Sequence, residues 1–179
     1  LGIFEVSIQA YYQQQFGPLI SWGANVFLGA VRMVNRLNYM EINAKATNSL
    51  ASINKHVSSI SNKLRALVEL RVSQINGCVF CVDLHSEQAR AEGESQQRLD
   101  CLPVWRECQF FDDSERAAFN WAESVTLLPN TNAPDDLYDN LKKHFSEEQI
   151  VDLTFIISLM NAWNRLAVSF RHLPDARVD

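Results

Sequence analysis

The sequence predicts an all-α bundle, and three observations lead there. Gly (6) and Pro (5) are scarce among 179 residues, so few positions break a helix. Apolar residues recur at helical spacing in every strongly patterned stretch. Cap-type residues stand where those stretches begin, most plainly Ser146-Glu147-Glu148-Gln149, a capping box ahead of a long apolar run. Hydrophobic residues at 47% can fill a sizeable core, and the length suits one main domain.

Residues 1–36 read as a separate helical extension. Leu19, Trp22, Val26, Val31 and Val34 form its stripe, interrupted at Gly17-Pro18. Its apolar run is broken by Ser21 and Asn25 and closed by Arg32, which is short for a membrane span. Packing on the core or on a neighbouring subunit is the expectation. Residues 37–179 form the main domain. Within it, Ile42, Ala46, Leu50, Ile53 and Val57 predict a helix over 41–60. Leu64, Leu67, Val68, Val72 and Ile75 predict the next over 62–75, and Asn76-Gly77 ends it in left-handed backbone. A third helix starts at or near Cys78 and stops before Gly93.

A short piece over 94–101 leads to a turn at Leu102-Pro103-Val104-Trp105. Asp113 or Asp112 caps a helix to about Leu128, and Pro129 and Pro134 bracket a loop. Asp135–Phe145 is a short helix, and Glu147 opens the last one, running to about Arg171. Phe155, Met160, Trp163 and Phe170 on that helix read as core or subunit interface; Trp163 could also line a substrate entrance. His56, His144 and His172 lie among polar residues and read as surface.

The formal charge of −5 and pI near 5.4 leave no electrostatic footprint for nucleic acid or an anionic membrane. No secretory signal is evident at the start, where Glu5 stands in place of basic residues, and a cytoplasmic location is expected. The four cysteines are Cys78, Cys81, Cys101 and Cys108. Cys101 and Cys108 read as ordinary small apolar residues. Cys78-Val79-Phe80-Cys81 is a C-x-x-C pair, which in a cytosolic chain is more often redox-active or metal-binding than a structural staple.

A helix beginning at Cys78 puts Cys78 and Cys81 on one face, with His85 one turn beyond Cys81. An imidazole there can accept the Cys81 proton and stabilise the thiolate, which is the nucleophile. Glu69 on the preceding helix can reach His85 if the two helices pack antiparallel, and would then orient the ring or pass on a proton. Pairing of Glu69 with Arg65 or Arg71 is the rival reading. Two effects compete over the attacking sulfur. The helix dipole favours Cys78 by roughly 0.3–1 kcal/mol, under one pKa unit. A paired histidine can lower a thiol pKa from about 8.5 by several units. Magnitude therefore favours Cys81, provided that His85 reaches it. Zinc is another use of the same residues, since Cys78, Cys81, His85 and Glu69 offer four ligands. No second C-x-x-C or H-x3-H supplies the usual distant pair.

The stretch E-L-R-V-S-Q-I-N-G-C-V-F-C-V-D-L-H resembles the AhpD-like alkylhydroperoxidases of the carboxymuconolactone decarboxylase superfamily. A-R-A-E-G-E-S-Q-Q-R-L, L-P-V-W-R-E, F-S-E-E-Q-I-V-D-L-T and N-A-W-N-R-L-A extend the resemblance over residues 38–172. It implies an AhpD-like helical bundle assembling as a homotrimer or homohexamer. It implies reduction of an organic hydroperoxide or hydrogen peroxide in antioxidant defence, with an external dithiol as reductant and no cofactor. The peroxidatic role then falls to Cys81, the resolving role to Cys78 and the proton relay to His85. Phe80 stands where the family has a histidine, and Ala66 where it has the relay glutamate. Glu69, nearly one turn along, is the substitute. The superfamily's decarboxylases act on a lactone ring without relying on a cysteine pair, so the intact C-x-x-C argues against that activity. A decarboxylase-like enzyme, or a redox sensor or disulfide reductase without efficient turnover, is the alternative.

Overall fold

In the computed structural model, which describes residues 34–176, all regular structure is helical. The helices are α1 (Tyr39–Ile42), α2 (Ala44–Ser52), α3 (Asn62–Asn76), α4 (Val79–Ala91), α5 (Gln96–Cys101), α6 (Asp113–Thr126), α7 (Leu128–Thr131), α8 (Asp135–Leu141) and α9 (Glu147–Phe170). Single 3₁₀ segments cover Ile53–His56 and Leu102–Glu107. The extension expected over 1–36 lies outside the described residues except for its last three. Of these, Arg36 donates its backbone N–H to Phe170 O (2.9 Å) and its guanidinium to Ser169 O (2.9 Å).

Helix α3 is the hub, packed on α4, α6 and α9. The sequence assigns it one apolar stripe. The structure buries more of it, including Ala66, Leu70 and Ser73, because three helices enclose it. Leu67, Leu70 and Val72 meet Phe119 of α6 and Leu153, Ile156 and Ile157 of α9 in the core. Burial of these side chains is worth about 1.5–3 kcal/mol each and holds the bundle together. Asp152 of α9 accepts from Ser58 N, Ser59 N and Ser59 Oγ at 3.0, 2.9 and 2.8 Å, which fixes the approach to α3.

The stretch predicted as one helix over 41–60 is instead broken. Asn43 leaves helical backbone (φ −131°, ψ 61°) and caps α2 by accepting from Ala46 N. α2 then buries no residue of its own, and regular α-helix stops at Ser52. Between Pro129 and Pro134 the expected loop contains α7, because proline is tolerated in a first helical turn. Both expected caps of the later helices form complete boxes: Asp112 with Glu115 opens α6, and Ser146 with Gln149 opens α9. Among the described residues, no helix is long and apolar enough to cross a membrane.

Candidate active site

The site is built on the turn between α3 and α4. Gly77 ends α3 in left-handed backbone (φ 66°), a conformation that an L side chain resists. The chain then reverses, and Cys78 becomes the N-cap of α4 rather than its first helical residue (φ −87°, ψ 98°). Cys78 N donates to Ser73 O at 3.1 Å, and Cys81 N donates to Cys78 Sγ at 3.3 Å. The two Cα atoms are 5.3 Å apart and the sulfurs are joined as a disulfide. Both cysteines are almost fully buried, at 1% and 3% exposure.

One turn further, His85 is also buried. Its Nδ1 lies 3.3 Å from Glu69 Oε2 and 2.8 Å from Gln88 Oε1. The second oxygen of Glu69 accepts from Arg65 Nε at 3.0 Å, and Arg65 Nη2 donates to Asn54 Oδ1 at 2.8 Å. A polar chain therefore runs Asn54, Arg65, Glu69, His85, Gln88. Burial alone would push the Glu69 carboxyl up. The hydrogen bonds and positive charge of His85 and Arg65 outweigh it and hold the carboxyl below the ordinary value of 4.5. An ionised carboxylate can only accept, so Nδ1 carries a proton, and in the neutral form of the ring Nε2 is the basic nitrogen.

These groups open on a cavity of about 530 Å³. Cys81, Glu69, His85 and Arg65 line it, together with Phe80, Met160 and Trp163. Cys81 lines the cavity and Cys78 does not. Small-molecule sites usually span ~300–1,000 Å³, so the space suits an organic molecule.

The structure brings together all four residues that the sequence singles out, Cys78, Cys81, His85 and Glu69. Of the two arginines weighed as partners for Glu69, Arg65 takes it, while Arg71 pairs with Glu123 at 2.7 Å. Trp163 lines the cavity, as the entrance reading allowed. Phe80 is a cavity wall whose ring meets the edge of His172 at 4.2 Å between centroids. His172, expected at the surface, is accordingly half-buried. Ala66 also lines the cavity, leaving the acid to Glu69 one turn away. Gln88 escaped the sequence reading; its place three residues after His85 on one helix is the signal that could have found it. Cys101 and Cys108 are free and half-buried. Among the described residues no group of three or more His, Cys, Asp or Glu could hold a metal ion.

The model of the carboxymuconolactone decarboxylase family matches residues 43–124. An uncharacterized protein of Bacillus subtilis (strain 168), YdfG, is 42% identical over 139 residues, covering 76% of this chain and 95% of the relative. A solved protein of unknown function from Agrobacterium tumefaciens, ATU0492, for which the role of the antioxidant defence protein AhpD has been suggested, is 38% identical with a TM-score of 0.78. The match covers 80% of this chain and all of that one. The debrominase Bmp8 shares the fold at 21% identity and a TM-score of 0.68, over 76% of this chain and 75% of its own. The extent and identity of the Bacillus match, together with the family model, place the chain in the carboxymuconolactone decarboxylase family, among its AhpD-like members.

Proposed function

We propose that this protein is a thiol-dependent hydroperoxide reductase serving antioxidant defence. The observation that carries the reading is the asymmetry of the cysteine pair. Cys81 shares the cavity with His85 and Glu69, and Cys78 stands outside it. In the reduced protein, His85 Nε2 takes the Cys81 proton. The thiolate attacks the terminal oxygen of the hydroperoxide; an S–O bond forms as the O–O bond breaks, and the leaving alkoxide takes the proton back from His85. Glu69 steadies the imidazolium through Nδ1. Cys78 then attacks the sulfur of the Cys81 sulfenic acid, forming the disulfide and releasing water. An external dithiol supplies the two electrons that restore the pair. Its thiolate meets Cys81 at the cavity, and Cys78 leaves as a thiolate that the Cys81 N–H and the start of α4 stabilise. The same reading carries a homotrimer or homohexamer, for which exposed Val151 and Phe155, one turn apart on α9, offer apolar surface; solution mass decides it.

Two variants test the assignment. After one equivalent of an organic hydroperoxide, Cys78→Ser should hold a sulfenic acid at Cys81 that a dimedone probe captures. Cys81→Ser should lose the fast reaction altogether. Equal peroxide consumption by Cys81→Ser and the parent would refute the roles. An oxidation that happens once and is not followed by turnover with any dithiol would instead favour a redox sensor.

A further inference from the structure

A ladder of amides, half-buried at Asn76 and buried at Asn161 and Asn164, holds the turn that carries Cys78. Asn76, the last residue of α3, donates its side-chain amide to Asn161 Oδ1 (3.0 Å) and Asn164 Oδ1 (2.9 Å), both on α9. Asn161 Nδ2 goes on to Thr126 Oγ1 of α6 at 3.1 Å and to Ile157 O at 3.0 Å. Asn164 Nδ2 donates to Ser73 Oγ at 3.2 Å, and Ser73 Oγ donates to Glu69 O at 2.7 Å. Ser73 O receives the Cys78 N–H. The ladder therefore ties the backbone of Cys78 and the backbone of Glu69 to one rigid helix.

Stability alone does not call for it. Asn161 and Asn164 are 8% and 1% exposed, beside the apolar Ile157 and Met160. Replacing both partners of a buried hydrogen bond with well-packed apolar groups is often neutral. Placement does call for it. Cys78 is the N-cap of α4: its carbonyl accepts from Val82 N (2.9 Å), but its own N–H lies outside the helix and follows a glycine with wide backbone freedom, so the bond to Ser73 O must fix it. Disulfide closure tolerates little error, because Cα atoms more than 7 Å apart cannot be bridged without backbone movement.

We infer that Asn76, with Asn161 and Asn164, is a positioning device that holds Cys78 ready to close the disulfide on Cys81. The inference rests on the thiol chemistry proposed above. Asn76→Ala in the full chain, reduced and then given an organic hydroperoxide, should oxidise Cys81 at close to the parent rate. Disulfide closure should slow by at least about tenfold, since small misplacements of reacting groups cost up to about a hundredfold. Dimedone-trapped sulfenic acid should accumulate, and excess peroxide should carry Cys81 to sulfinic acid. A readout without peroxide is the equilibrium of the pair in a dithiothreitol redox buffer. It should shift toward the dithiol by about tenfold, or roughly 30 mV.

Asn164→Ala removes one rung and should act in the same direction with a smaller effect; it carries the test if Asn76→Ala does not fold. Asp152→Asn loosens the other end of α9 and should lower the melting temperature with both readouts at parent values. A ladder variant that melts early yet keeps the parent's closure rate and redox equilibrium would overturn the inference. If the parent itself fails to form the disulfide with peroxide, the peroxidase reading falls, while the redox-buffer result still judges the ladder.

Discussion

Glu69 shares its two oxygens between two donors, Arg65 on one and His85 on the other. In the proposed function, its negative charge fixes the ring's tautomer and leaves Nε2 as the base. In the reading proposed here, Glu69→Gln keeps the shape and removes that charge. The rate of Cys81 oxidation should fall by roughly 10²-fold, the low end of what positioned acid–base groups supply. The reduced pair should still close in the presence of a disulfide oxidant, which does not need the relay. Stopped-flow peroxide kinetics would check this; an unchanged rate would make Glu69 a structural ion pair. At this scale the sequence was readable where the chemistry is local. Cys81 and His85 share α4, Cys78 caps it, and Glu69 lies nine residues before Cys78 on α3. Ser73, Asn161 and Asn164 gave no such signal, because isolated amides and hydroxyls in helices look like ordinary polar positions until α9 is laid against α3.

The turn between α3 and α4 works through Gly77. A Cβ at this position would meet nothing within 4 Å, so the case for glycine is conformational rather than steric. Gly77→Ala should destabilise the protein by about 1–2 kcal/mol, the cost of a left-handed L residue. Urea unfolding would show it as a lower midpoint at constant slope; a variant as stable as the parent would mean the turn relaxes. Helix existence was legible wherever an apolar stripe met a core. α3, α4, α6 and α9 appear within a residue or two of their expected bounds. The stretch over 41–60 is not one helix because only the end of its stripe meets the core: Val57 is buried and Ile53 packs against the core, but Ile42 is 69% exposed, and an asparagine that can cap a helix interrupts the run. Propensity and periodicity propose a helix, but packing decides its length.

At the scale of the fold, carboxylates that are buried or half-buried tie the helices together. Glu123 receives Arg71 and Arg106, at 2.7 and 2.6 Å, and Trp105 Nε1 at 2.9 Å. Burial pushes its carboxyl up, but these donors outweigh burial and hold it below 4.5. Hydrogen bonds from Ser59 and Ser58 hold Asp152 below its ordinary 3.8, and Glu69 is depressed as described. Each group binds its proton less tightly folded than unfolded. Their contribution is therefore complete above the ordinary values of 4.5 and 3.8, and it is lost as pH falls through the lower folded values. Melting temperature should change little between about pH 6 and 8 on account of these groups, then drop steeply in acid. Glu123→Gln should cost roughly 1–3 kcal/mol at neutral pH and make the acid decline shallower. An acid decline as steep as the parent's would contradict this role for Glu123. The cavity is the feature the sequence could least reveal. Its walls come from Tyr39, from α3 and α4, and from Trp163 far along the chain, and only the folded bundle sets them around Cys81.

The most direct test of the central claim is intact mass on the fully reduced native protein, before and after one equivalent of an organic hydroperoxide, followed by peptide mapping. The expected result is rapid loss of two hydrogens, mapped to a Cys78–Cys81 disulfide, with Cys101 and Cys108 left as thiols. No change, or slow oxidation spread over all four cysteines, would contradict it and leave a family fold without the peroxidase chemistry.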